Sequence, residues 1–320
     1  MSAGYGHVVA GIDIGGTKTA GVLVASDGTV IARATRGTPA REGGAAMSEA
    51  AACVVEEMYG LSGVRAEAVG VGAAGVVDHA TGTIRAASDT FSGWAGFALA
   101  EHLGARLSLP VQVENDVNAF LLGERAWGAA RGSDVLGVML GTGVGGALVL
   151  GGRLRHGPHG AAGEIGHTPG YGSLPCTCGL SGHLETVASG TSIARRYAAA
   201  TGHPVEPARV VAQRARAGDP DALAVFTEAG RAVALACVSA ATLVDLSLAV
   251  VGGGVVGAWD LLEPAVEATL ASDPPVSGVP LRIVPGSLRA DAVVLGAAAL
   301  VAAPSSSPSN ERENHRDVAS

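Results

Sequence analysis

Residues 167–185 read HTPGYGSLPCTCGLSGHLE and crowd Cys176, Cys178, His167, His183 and Glu185 into one glycine-rich segment. Thiolates and imidazoles are the preferred ligands of zinc, so the segment could close around a metal. A redox pair is the second option, but C-x-C lacks the C-x-x-C spacing and no thioredoxin-like context surrounds it. The third option is a loop with two free thiols and His183 on the surface.

A second group with reactive potential is VQVENDVN at 111–118, where Glu114, Asn115 and Asp116 end an apolar strand. Open α/β sheets bind ligands at that end of their strands. Asp116 is the candidate to accept a proton from a hydroxyl group, and Asn115 can donate and accept at once, which suits a sugar hydroxyl. The plainer alternative is that Asn-Asp caps a helix starting near Val117.

Glycine turns supply a third element. The motif G-x-G-x-x-G occurs at 70–75, 141–146 and 252–257, but a chain with 48 glycines produces such matches by chance. A dinucleotide site needs a strand before the turn and a helix after it. The turn at 141 is followed by another strand, and the one at 252 lacks a complete βαβ unit and a ribose-binding acid. GIDIGGTK places Thr17 before Lys18, the reverse of a P-loop. What remains is a pair of hairpin tips, Gly15, Gly16, Thr17 and Lys18 in one and Gly141, Thr142, Gly143 and Gly145 in the other. Exposed amides in such turns form anion nests, and two of them can clasp the phosphates of one nucleotide, although each alone could be an ordinary tight turn. Asp13 would face that anion, which implies Mg²⁺ between them, through water.

The elements that must carry these groups repeat. Residues 7–33 and 134–155 both read as apolar strands broken by glycine-rich turns, so a meander occurs twice. Helical spacing in AAMSEAAACVVEEM, a buried strand in AEAVGVGAAGVVD and a helix leading into VQVEND lie between the copies. The pattern predicts a duplicated, two-lobed α/β fold. Asp219 and Pro220 are an N-cap and first helical residue, opening a helix through about Leu243. LSLAVV follows as a strand, then a GGG turn and the helix AWDLLEPAVEATL. The expected division is a small lobe at 1–117, a large lobe with the metal loop at 118–288, a helix at about 289–303 packing back on the small lobe, and a disordered polar tail at 304–320.

Composition excludes several function classes. The chain has 320 residues, 48% hydrophobic and 16% charged, and a formal charge of -8, so no basic excess exists to neutralise nucleic-acid phosphates or an anionic membrane. The opening MSAGYGHVVAGIDIGG has no signal-peptide pattern, which makes the expected location cytoplasmic. Residues 232–251 are long enough to span a bilayer, but Asp245 and the many small residues favour a buried helix running into a buried strand. Cys53 and Cys237 sit in Ala/Val-rich stretches and read as buried apolar residues.

Taken in order, D-x-G-G-T-K at 13–18, E-N-D at 114–116, G-T-G-x-G-G at 141–146, G-E-x-G-H at 163–167 and C-x-C-G-x-x-G-x-x-E at 176–185 resemble the ROK family of sugar kinases and sugar-responsive repressors, from about residue 8 to 302. The resemblance implies an actin-like, hexokinase-like ATPase fold of duplicated ribonuclease H-like halves, ATP as phosphoryl donor and a hexose as acceptor, with glucose to glucose 6-phosphate the leading reaction. N-acetylmannosamine, N-acetylglucosamine or fructose is the alternative acceptor, and a non-catalytic sugar-sensing regulator the further one. It also implies Asp116 as general base, Asn115, Glu164, His167 and Glu185 on sugar hydroxyls, and Gly252, Gly253 and Gly254 near the adenosine. A structural Zn²⁺ and a homo-oligomer, dimer or tetramer, complete the picture. Two departures stand out. His183 replaces the usual third cysteine, leaving His167, Cys176, Cys178 and His183 as an N2S2 set, and Asp89 in SDTFSGW stands where an asparagine is common. The repressors carry a winged helix-turn-helix ahead of this region, whereas here the first phosphate motif begins at Asp13.

Overall fold

The computed structural model describes residues 6–302. Strands β1 (Val8–Ile14), β2 (Lys18–Ala25) and β3 (Val30–Gly37) form the first antiparallel meander. Helix α1 (Gly44–Ser62) returns the chain to β4 (Val69–Ala73), which pairs parallel with β1. A small hairpin, β5 (Val76–Asp78) and β6 (Thr83–Ala86), precedes α2 (Leu99–Leu107) and β7 (Val111–Asn115), which pairs parallel with β4. Helix α3 (Asp116–Trp127) leads into the second meander, β8 (Val135–Leu140), β9 (Val144–Leu150) and β10 (Arg153–Leu154).

After a long loop come α4 (Glu185–Ala188), α5 (Gly190–Thr201), α6 (Ala208–Arg216) and α7 (Pro220–Val244). The chain ends its described part with β11 (Leu248–Gly252), α8 (Trp259–Ser272), β12 (Arg282–Pro285) and α9 (Ala292–Ala302). The two sheets, β3-β2-β1-β4-β7 and β10-β9-β8-β11-β12, correspond strand for strand. Each is a meander extended by two parallel strands, so the repeated sequence pattern is a repeated fold.

The lobes meet through helices. α9 packs on β1 and β4 of the first sheet and on α3, while α3 also contacts β8, β9 and β11 of the second. α9 reads AVVLGAAALVA, apolar on every side, as a helix buried on all faces must be. Glycine permits the approach: a Cβ at Gly70 would fall on the Ala297 carbonyl, and one at Gly296 on the Ala119 carbonyl. Glu124, fully buried near the end of α3, fixes the same joint by accepting from the amides of Ala129 at 2.8 Å, Ser287 at 3.1 Å and Leu288 at 2.9 Å. Removing those acceptors would leave three part-buried N–H groups without their partner.

Helix α7 begins where its cap signals place it, with the Asp219 side chain accepting from Asp221 and Ala222 N–H. By length and apolarity it could cross a membrane, but more than half of its most apolar window is buried in the protein. Asp245 closes it as a left-handed C-cap. The expected tail at 304–320 lies outside the described residues.

Candidate active site

The junction of β7 and α3 carries the candidate carboxyl group, Asp116. Asn115 caps α3, its Oδ1 accepting from Val117 N–H at 2.9 Å and Asn118 N–H at 3.2 Å, while its Nδ2 donates to the Gly75 carbonyl at 2.9 Å and to Asp116 Oδ1 at 3.0 Å. The helix-cap alternative is therefore real, yet the same side chain lines a cavity. Burial pushes the Asp116 carboxyl up to about 6; bonds from the Val117 amide and Asn115 oppose the shift and nearby Glu164 adds to it. Asp13, across from it on β1, is pushed up to about 7, first by burial, then by Asp116, with Lys18 opposing. Two carboxyl groups so placed favour a cation between them and an anionic ligand.

Three cavities run in a row. The smallest, of about 300 Å³, is lined by Gly75, Val76, Ser88, Asn115, Gly146 and Glu164. It shares Ser88, Val117 and Gly145 with a central cleft of about 780 Å³. Both hairpin tips face that cleft, Gly15 and Gly16 from one lobe and Gly141, Thr142 and Gly143 from the other, together with Asp116 and Glu185. The cleft in turn shares Gly141, Thr142, Thr191 and Gly254 with a third cavity of about 850 Å³ that continues along α6 to Gln213 and Arg216. A continuous trench thus holds a compartment at the low end of small-ligand size, a middle section with the carboxyl group, and a long outer section.

None of the glycines in the two tips has a left-handed φ, so conformational freedom is not why they are there. Room is the reason at the second tip: a Cβ at Gly143 would fall on the Glu185 carboxyl group, and one at Gly145 on the Val117 side chain. Not every amide is free, since Gly15 N–H bonds the Lys18 carbonyl, Gly141 N–H bonds the Gly143 carbonyl, and Val144 N–H bonds Glu185.

Other candidates divide. Gly253 and Gly254 line the cleft, whereas Asp13, Thr17, Lys18 and Gly252 lie beside it without lining it. Asp89 is exposed and lines none of the three cavities; at this edge Ser88, Thr90 and Phe91 face the cleft. Sequence reasoning missed these, along with Thr191 and Arg195 of α5; the only signal was their closeness to SGW and to the cap of α5.

The loop at 167–185 gathers its donor atoms. The ligand atoms of His167, Cys176, Cys178 and His183 all lie within 4.8 Å of one another. Cys176 Sγ is 3.6 Å from His167 Nδ1, and Cys178 Sγ is 3.3 Å from His183 Nδ1. Bonds of about 2.0–2.3 Å to a tetrahedral zinc put ligand atoms at roughly these separations, so the residues fit the metal. His183 is buried, which a surface histidine would not be. Glu185 Oε2 accepts from Val144 N–H at 3.0 Å and Oε1 from the Thr177 hydroxyl at 2.7 Å, tying the loop to the second hairpin tip. His167 lines neither the small cavity nor the cleft.

Two matching sheets around such a trench define the two-lobed, actin-like and hexokinase-like class of fold. Within that class the family model of the ROK family matches residues 9–303, and the chain belongs to that family. It is 33% identical to a glucokinase of Thermotoga maritima over 91% of this chain and 96% of that one. Identity to an N-acetylmannosamine kinase of Escherichia coli O127:H6 is 34%, over 90% and 96%. Among solved structures, a ROK family glucokinase from Streptomyces griseus in complex with glucose and AMPPNP superposes with a TM-score of 0.79 at 32% identity, covering 92% of this chain and 98% of that one.

Proposed function

We propose that the protein is an ATP-dependent hexose kinase acting on glucose at the 6-hydroxyl. The observation that carries the reading is the trench: a small compartment and a long one are joined by a central cleft lined by Asp116 and by both hairpin tips. The small compartment takes the sugar, with Asn115 and Glu164 on its hydroxyls; Glu185 reaches it from the adjoining cleft, and His167, which lines neither space here, would reach it only once the lobes close. The triphosphate lies across the tips, with the adenosine beyond Gly253 and Gly254.

Asp116 accepts the proton of the 6-hydroxyl as its oxygen bonds to the γ-phosphorus and the bond from that phosphorus to the β-phosphate oxygen breaks, releasing ADP. A carboxyl group near pKa 6 is ionised at neutral pH yet still basic enough to take that proton. Asp13 would hold Mg²⁺ through water, and the metal would supply charge neutralisation on the phosphates. His167, Cys176, Cys178 and His183 would hold a structural zinc that keeps the loop, and with it Glu185, against the second tip. Closure of the lobes excludes water during transfer. The enzyme works in the cytoplasm as a dimer or tetramer, in keeping with the family resemblance.

A coupled ADP-release assay over glucose, mannose, fructose, N-acetylglucosamine and N-acetylmannosamine tests this. Glucose is expected to give the highest kcat/KM. Preference for N-acetylmannosamine would keep the kinase and change its substrate, which the Escherichia coli relative makes the leading alternative. No turnover with any of the five would refute the kinase reading.

A further inference from the structure

Glu114 has no part in the transfer described above, yet it is only 4% exposed and its carboxyl group is fully engaged. Oε1 accepts from Asn115 N–H at 2.9 Å and Asn118 Nδ2 at 2.8 Å, while Oε2 meets His156 Nε2 at 2.6 Å. His156 lies in the second lobe, on the segment between β10 and the short 3-10 turn Ile165–His167. Its ring stacks on His79, from the turn between β5 and β6, with centroids 3.8 Å apart and planes 6° from parallel.

This cluster lies behind three of the elements that wall the small cavity. His79 belongs to the hairpin that contributes Val76 and Ala86, Glu114 is next to Asn115, and His156 leads the segment that presents Glu164. That segment, at 155–163, is held at its start by Arg155, which bonds the Leu148 and Leu150 carbonyls, and at its end by Gly163 packed on Gly146, but residues 157–162 between have few bonds of their own. Gly157, Gly160 and Gly163 all have left-handed φ, and Ala162 N–H turns back to the His156 carbonyl at 3.1 Å. His156 therefore anchors the segment twice, by its ring to β7 and by its backbone to a residue two positions before Glu164. Burial works against ionisation of Glu114, but bonds from His156, Asn118 and Asn115 outweigh it and hold the carboxyl below its usual range. The same bond raises His156, so the contact is charge-assisted and stronger than a neutral one.

We infer that Glu114, His156 and His79 form a positioning cluster for the acceptor, setting where Glu164 stands relative to Asn115 and Asp116 and so controlling sugar affinity without touching the reacting atoms. The inference rests on the small cavity being the sugar site. A ligand group held by a segment this rich in glycine needs such support, because small misplacements at a binding site cost orders of magnitude.

The test combines calorimetric glucose binding without nucleotide, steady-state kinetics and thermal melts on the full chain. His156→Ala is expected to weaken glucose binding and raise its KM by about 10-fold or more, with the KM for ATP within about 2-fold of wild type. His156→Gln keeps an N–H donor at the same reach and should recover most of that affinity. His79→Ala, which removes only the stack, should fall between them. A His156→Ala protein that binds glucose as tightly as wild type overturns the inference alone. So does equal loss of glucose and ATP affinity in both His156 variants together with a lowered Tm, the mark of a merely structural role. A wild type that binds no hexose overturns this inference and the reading of the cavity together.

Discussion

The two edges of the central cleft are built on opposite principles. Asn115 and Asp116 stand where a parallel strand becomes a helix, and ladder bonds, the cap and the Gly75 contact hold both side chains. Residues 167–184 opposite form no strand and no α-helix; the segment is shaped by isolated bridges, Pro169 to His183 and Pro175 to Ser181, and by four potential metal ligands gathered at one point. On the first edge the fold itself places the acid, so a substitution there costs chemistry before shape. On the second edge shape depends on a clip, so a substitution costs shape first and chemistry through it.

The largest expected effect separates the two edges directly. Asp116→Asn should lower kcat by about 10³-fold, with glucose affinity kept within a few-fold and zinc content unchanged. Near-normal turnover would break the assignment of the base, and lost glucose binding would move Asp116 into the sugar-holding set. Next, His183→Ala or Cys178→Ser should abolish bound zinc in metal analysis, which wild type is expected to hold at one per chain, and raise the glucose KM by about 10–100-fold with a smaller change in kcat. Wild-type protein purified without zinc and fully active would remove the clip from the account.

Acidity should sharpen the contrast. Because Asp116 must be ionised to accept a proton and its carboxyl lies at about 6, kcat/KM should fall as pH drops through 6, nearing tenfold per unit below it. A flat profile down to pH 5 would contradict this. The smallest effect concerns stability. A carboxyl group whose folded pKa is raised from 3.8 to about 6 destabilises the protein once pH exceeds the unfolded value, and fully above the folded one. At pH 8 Asp116→Asn should therefore be more stable by about 3 kcal/mol in urea unfolding, the gap closing as pH falls towards 4.

Much of the first edge was legible in the sequence. The doubled meander gave matching sheets, Asp219 and Pro220 marked the start of α7, and E-N-D marked the end of β7 where it turns into α3, because strand periodicity and capping are local rules. Asn115 shows the limit of local reading: cap and cavity wall were posed as alternatives, and one side chain is both. Less of the second edge and the cavity walls could be read. That Ser88, Thr90 and Phe91 face the cleft while Asp89 does not depends on how one irregular loop is tied down, Gly93 to Gly44 at the start of α1 and Trp94 to the Ala74 carbonyl just after β4. Glu114 finds His156 only because the second lobe returns to the end of β7, and Glu124 meets residues 287–288 only because α9 comes back to α3. Such pairings join residues far apart in the chain, and no spacing rule announces them.

The central claim is that two hairpin tips, one from each lobe, hold a single nucleotide beside Asp116. Isothermal titration of Mg²⁺ and AMPPNP into the protein, with and without glucose, tests it most directly. One nucleotide per chain, bound more tightly with glucose present and lost when Thr142 and Gly143 are both replaced by valine in a protein that still melts cooperatively, is the expected result. Absence of nucleotide binding by the wild type, or unaltered binding by that double variant, would contradict it.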